Sequence, residues 1–136
     1  MTLVRIIKDW DKPYLLRQTP GQSGVWDGVT FTLDPVEKCD YVIICNRVPA
    51  ATTVHCPSEH IWQITQEPPV PEYRWHQRGF PYFYRVYTQN TEFKGEKIVY
   101  SQPALPWHVD RDYDFLKQVA PPEKTGRLSW ITSSGK

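Results

Sequence analysis

The stretch His60-Ile61-Trp62-Gln63-Ile64-Thr65-Gln66-Glu67-Pro68-Pro69 decides how the chain is read. Ile61, Trp62, Ile64 and Thr65 are β-branched or aromatic, the side chains that suit a pleated, half-buried surface. The strand they predict stops abruptly. Pro68 restricts Glu67 to extended backbone, and neither proline has an N–H to donate to a ladder. A carboxylate is thus expected at the mouth of a strand, held by a stiff exit, which is where α/β folds keep their ligands. The same Glu also reads as a solvated carboxylate in a Pro-rich loop, since strand-end carboxylates are common.

Working outward, Tyr41 to Cys45 (Tyr-Val-Ile-Ile-Cys) is a continuous apolar run, the pattern of a central strand covered on both faces. Leu3–Ile7 predicts a first strand. Val25–Leu33 alternates in part and predicts a strand with one buried face. Phe83–Thr88 and Lys97–Ser101 predict two more. Tyr14–Gly24, with Pro20-Gly21 and Ser23-Gly24, reads as a loop with a helical turn. Pro71–Arg78 is predicted as a helix stopped by Gly79, and Asp112–Val119 has apolar residues at helical spacing. Arg127–Ser134 is strand-like again. Strands alternating with loops and short helices predict an α/β fold with a mainly parallel sheet.

The 136 residues suit one domain with a real core. Thirteen prolines against seven glycines predict stiff, extended connections. Sixteen basic and fifteen acidic residues leave a net charge of +1 with no basic stripe, so nucleic acid is excluded as the expected partner. No transmembrane segment or signal-peptide pattern is recognisable. Cys39, Cys45 and Cys56 are odd in number and form no C-x-x-C pair. They read as reduced thiols, and a cytoplasmic location is expected.

The glycines form neither G-x-G-x-x-G nor a Walker loop, so no nucleotide site or cofactor is expected within this chain. His55, Cys56 and His60 match no metal-ligand spacing, and no metal is expected. No cysteine sits in the context of a catalytic nucleophile. Three strand exits carry polar groups: Asn46-Arg47, Gln66-Glu67 and Gln89-Asn90. In a parallel sheet these exits share one edge and line one cleft. Trp75, Tyr87 and Trp107 offer flat apolar faces of the kind sugar rings pack on, although each also fits a core position. Unaided, the residues describe an α/β domain with a polar cleft.

A resemblance adds to this. The run Asp40–Cys45, the run His60–Trp62 through Glu67-Pro68-Pro69, Tyr100–Trp107 (Tyr-Ser-Gln-Pro-Ala-Leu-Pro-Trp), and Lys124 with Leu128–Ser134 (Leu-Ser-Trp-Ile-Thr-Ser-Ser) together resemble the N-terminal half of family 10 glycosyltransferases, the α-1,3/4-fucosyltransferases. The likeness runs from about Gly24 onward and rests mostly on the Glu-Pro-Pro exit and the late Ser-Trp-Ile-Thr-Ser segment. It implies a Rossmann-like acceptor domain over residues 1–123, one half of a GT-B architecture. Residues 124–136 would begin the interdomain strand or linker, with the donor domain for GDP-fucose absent. It further implies inverting transfer of fucose to a glycan hydroxyl, with Glu67 as catalytic base.

Asn46, Gln66, Gln89, Trp107 and His108 are the expected acceptor-binding residues. The half alone is expected to lack transfer activity, because stabilisation of the leaving group would come from the donor domain. The alternative reading is a non-catalytic binding module that dimerises through its terminal strand. A small hydrolase is disfavoured by the lack of a paired-carboxylate or nucleophile–base motif.

Overall fold

The computed structural model of the chain describes residues 1–126. They form one seven-stranded, mostly parallel sheet with few helices, an α/β-like fold. The strands are β1 (Thr2–Lys8), β2 (Val25–Trp26), β3 (Val29–Thr32), β4 (Tyr41–Cys45), β5 (Ile61–Ile64), β6 (Arg85–Thr88) and β7 (Ile98–Tyr100). Their spatial order is β2-β3-β1-β4-β5-β6-β7. All neighbours run parallel except β2 and β3. The expected central strand is central, with Val42, Ile44 and Cys45 at 2%, 5% and 6% exposure. Around it pack Leu3, Ile7, Val36, Val54, Ile61 and Phe83.

The stretch expected as one strand over Val25–Leu33 is a hairpin instead. Asp27 and Gly28 both have positive φ, 47° and 78°, and β2 returns antiparallel onto β3. An Asp-Gly pair is the strongest short hairpin signal, because both turn residues must tolerate left-handed backbone. The Trp26-Asp27-Gly28-Val29 turn was therefore present in the sequence, hidden by the alternation around it.

Parallel strands normally need a helical crossover. Here the crossovers are largely irregular or 3-10, over Leu15–Gln18, Pro20–Gln22, Ser58–His60 and Pro71–Tyr82. Proline explains much of this, since it deletes the N–H that an α-helix needs and clashes with the preceding turn. The helix expected over Pro71–Arg78 is thus a 3-10 segment. It runs through Gly79 to Tyr82 and contains Pro81. The one α-helix among the described residues, α1 (Tyr113–Gln118), has Asp112 as its N-cap, accepting from Phe115 N–H at 2.8 Å. The strand-like run Arg127–Ser134 lies outside the described residues.

After β7 the chain crosses the carboxyl ends of the strands as an extended strap. The carbonyl of Ala104 accepts from Gln66 at the exit of β5, 2.9 Å. Arg17 then holds the carbonyls of Trp107 and Val109. Finally α1 docks at the far edge, where Gly21 N–H donates to Asp114 and Tyr113 meets Trp26 of β2 edge-on at 4.7 Å. No helix among the described residues is long and apolar enough to cross a membrane.

Candidate functional site

The chain leaves β1 toward β3 on one side and later continues with β4 on the other, so the strand order reverses between β1 and β4. Open parallel sheets bind ligands at the carboxyl ends of strands beside such a reversal. The register pairs Lys8 with Cys45 and Cys45 with Ile64. The exit residues Asp9, Asn46 and Gln66-Glu67 are thereby brought together.

Asn46 is the centre of the cluster. It is 3% exposed and holds φ at 62°, a left-handed conformation that Asn tolerates better than most residues. Its Oδ1 accepts the backbone N–H of Gln66 at 2.8 Å. Its Nδ2 donates to Asp9 Oδ1 at 3.2 Å and sits 3.4 Å from Glu67 Oε1. Beneath it, Gln63 Nε2 donates to the Asn46 carbonyl at 2.6 Å. One side chain thus ties together the exits of β1, β4 and β5.

Glu67 keeps a partly exposed carboxylate, while Gln89 Nε2 donates to its backbone carbonyl at 3.0 Å. The sequence-level expectation that the exits share one edge is met for Asn46, Gln66, Glu67 and Gln89. Gln66, however, is occupied: it is 6% exposed, accepts from Trp10 Nε1 at 2.9 Å and donates to Ala104. It braces the strap. Trp107 and His108 are placed elsewhere. Trp107 bonds Arg17 and Gln18, and His108 lines a separate cavity with Asp11, Tyr14, Arg17 and Asp110.

Three members of the cluster were missed in the sequence. Asp9 forms an ion pair with Arg47 at 3.1 Å, its side chain 15% exposed. It follows β1 directly, so the strand-exit logic that picked Asn46 and Glu67 also reaches it. Tyr73 and His76 lie on the 3-10 segment that folds back over the cluster. The phenol of Tyr73 is pushed above its ordinary range, chiefly by the charge of Glu67. The imidazole of His76, 3% exposed, is pushed down by burial, with Asp9 opposing. Burial, and then the charge of Asp9, also raise the Cys45 thiol to about 11.

Beside the cluster opens a cavity of about 500 Å³, bordered by Asn46, Arg47, Gln63, Trp75, His76 and Phe83. Trp75 is 38% exposed, and the Arg47 guanidinium lies 5.5 Å from its ring centre. The size is within the range of small-molecule sites. Chemically, Asp9 is paired with Arg47, whereas Glu67 forms no ion pair among the described residues. Among the described residues no group of three or more His, Cys, Asp or Glu side chains is placed to hold a metal ion. Compared with protein-family models, curated proteins and solved structures, the chain matches none.

Proposed function

We propose that the chain is the acceptor-binding half of a fucosyltransferase-like glycosyltransferase, a Rossmann-like unit of a GT-B pair, with Glu67 as general base. The observation that carries this reading is Glu67 itself. It is a partly exposed carboxylate at a strand exit, braced by Asn46 and Gln89 and followed by Pro68-Pro69. Trp75 offers a sugar ring an apolar face, and the largely exposed Arg47 offers hydrogen bonds at the rim of the same cavity.

In the reaction, Glu67 takes the proton of the acceptor hydroxyl. The freed oxygen attacks the anomeric carbon of fucose as the bond to the GDP oxygen breaks, with inversion. Proton transfer of this kind contributes roughly 10² to 10⁴ in rate.

The testing experiment is an NMR titration of the labelled chain with N-acetyllactosamine-type saccharides and, separately, GDP-fucose. Shifts at Gln66, Glu67, Gln89 and Trp75 with saccharide support the reading. Silence with saccharides removes the sugar cleft and leaves a non-catalytic interaction module.

A further inference from the structure

Arg5 is buried within the sheet at 6% exposure, between Thr32 of β3 and Val42 of β4 by register. Its Nη1 donates to the Val36 carbonyl at 2.7 Å and its Nη2 reaches Thr52 Oγ1 at 3.3 Å. The buried Nε has no hydrogen-bond partner among the described residues. Both acceptors are neutral, and no ion pair among the described residues includes Arg5. A guanidinium stays protonated in proteins, and buried charges are normally paired because desolvation is costly. A buried cation without a counter-ion calls for one.

Next to Arg5 lies a cavity of about 270 Å³ where the exits of β1, β3 and β4 converge. Its walls include Ile7, Leu33, Val48 and Pro49, and among the described residues no acidic side chain borders it; Lys8 also lines it, but its ammonium is held by the Trp10 and Asp11 carbonyls. The site is distinct from the cavity lined by Trp75 and His76, with which it shares only Val48, and nothing in the proposed transfer reaction uses it.

We propose that this cavity binds a small organic carboxylate with Arg5 as its counter-ion. The Nε and Nη2 hydrogens of a guanidinium lie parallel and match the two oxygens of a carboxylate. On Arg5 that fork is the free side, since Nη1 is committed to Val36 and the Thr52 contact is long. The Thr52 hydroxyl can also donate, which gives the ligand a further hydrogen bond. The apolar walls suit a short hydrocarbon body and disfavour phosphate, whose oxygens all require hydration or donors. Nε is enclosed, so entry displaces part of the exposed, irregular stretch 48–52.

The test is a titration of the labelled chain with sodium propionate, beside inorganic phosphate and sodium chloride at matched ionic strength. The expected result is saturable shifts at Arg5–Lys8 and Val48–Thr52 with propionate, with chloride at least about tenfold weaker, as a bidentate fork implies, and phosphate weaker because the apolar walls leave its further oxygens without donors. Arg5→Met abolishes the saturable shifts. If Arg5→Met fails to fold, Thr52→Val serves, with an expected loss of about fivefold for one hydrogen bond. The proposal is overturned if propionate does not saturate, if phosphate binds as tightly, or if affinity is unchanged in the Arg5 variant or, where that does not fold, in the Thr52 variant.

Discussion

The side chain of Asn46 holds the backbone of Gln66, its Oδ1 accepting the Gln66 N–H at 2.8 Å. It does so from a backbone with φ of 62°. The contact turns the end of β4 into a clamp on the end of β5, and it fixes where Glu67 emerges.

Replacing Asn46 separates conformation from bonding. Asn46→Ala leaves the buried Gln66 N–H without its acceptor and puts a Cβ residue in left-handed backbone; the expected loss is about 2–4 kcal/mol. Asn46→Gly loses the same hydrogen bonds but not the backbone compatibility, so it should be about 1 kcal/mol more stable than the Ala variant. Urea denaturation of the two variants reads the difference. Equal stabilities would show that φ at this position carries no strain.

Gln66 braces the strap from the exit of β5. Gln66→Ala removes the bonds to Trp10 and Ala104, with an expected cost of about 1–3 kcal/mol for the partners left without it. Hydrogen exchange should quicken over residues 102–111 more than over β4. A uniform change across the sheet would count against the bracing role.

Glu67 and Tyr73 report on each other. The charge of Glu67 is the main reason the Tyr73 phenol titrates above its ordinary range. Glu67→Gln should therefore move the Tyr73 titration downward, toward about 10, as followed by ultraviolet absorbance against a Tyr73→Phe control. The substitution should leave folding stability nearly unchanged while removing most of any transfer rate measured with a donor domain present. An unmoved Tyr73 titration would mean that the two side chains do not meet in solution.

His76 makes stability depend on pH in a known direction. Burial lowers its folded-state pKa below the ordinary 6.5, so the unfolded chain binds the proton more readily. The contribution is full above about pH 6.5, and it declines as pH falls through that value toward the folded-state pKa. Denaturation midpoints between pH 5 and 8 should show this decline in the native chain and a smaller one in His76→Gln. A decline of the same size in both would assign the effect to other groups.

Thiol chemistry gives a simple check on the core. Cys45 and Cys56 are both raised to about 11, in each case first by burial. Little thiolate exists at pH 8 in the folded chain, so thiol–disulfide reagents should label these two positions slowly and react promptly once the chain is denatured.

Much of this was readable in the residues because it depends on short-range physics. The apolar run Tyr41–Cys45 called for a central place in the sheet, and Pro68-Pro69 barred any strand beyond Glu67; β5 itself ends earlier, at Ile64. Parallel pairing then placed Asn46, Gln66, Glu67 and Gln89 on one edge, as the alternation of strands and connections implied. The hairpin at Asp27-Gly28 was not read, because the alternation over Val25–Leu33 masked a turn signal that the Asp-Gly pair carries. The 3-10 character of Pro71–Tyr82 was harder to foresee, since helical spacing of side chains is similar for one or two turns while the hydrogen bonding differs.

What the tertiary structure alone decided is which polar groups meet and which are already spent. Periodicity places a residue on a face or at an exit, but hydrogen bonds between residues 37 or 56 positions apart, such as Asn46 to Asp9 and Trp10 to Gln66, follow from strand order and register. Those are set by the packing of the whole sheet. The same long-range geometry carries Trp107 away from Glu67 to Arg17 and Gln18, seats Tyr73 and His76 beside the cluster, and buries Arg5 without a carboxylate. The sequence determined a parallel sheet with a carboxylate at one of its exits; the fold determined the company that carboxylate keeps.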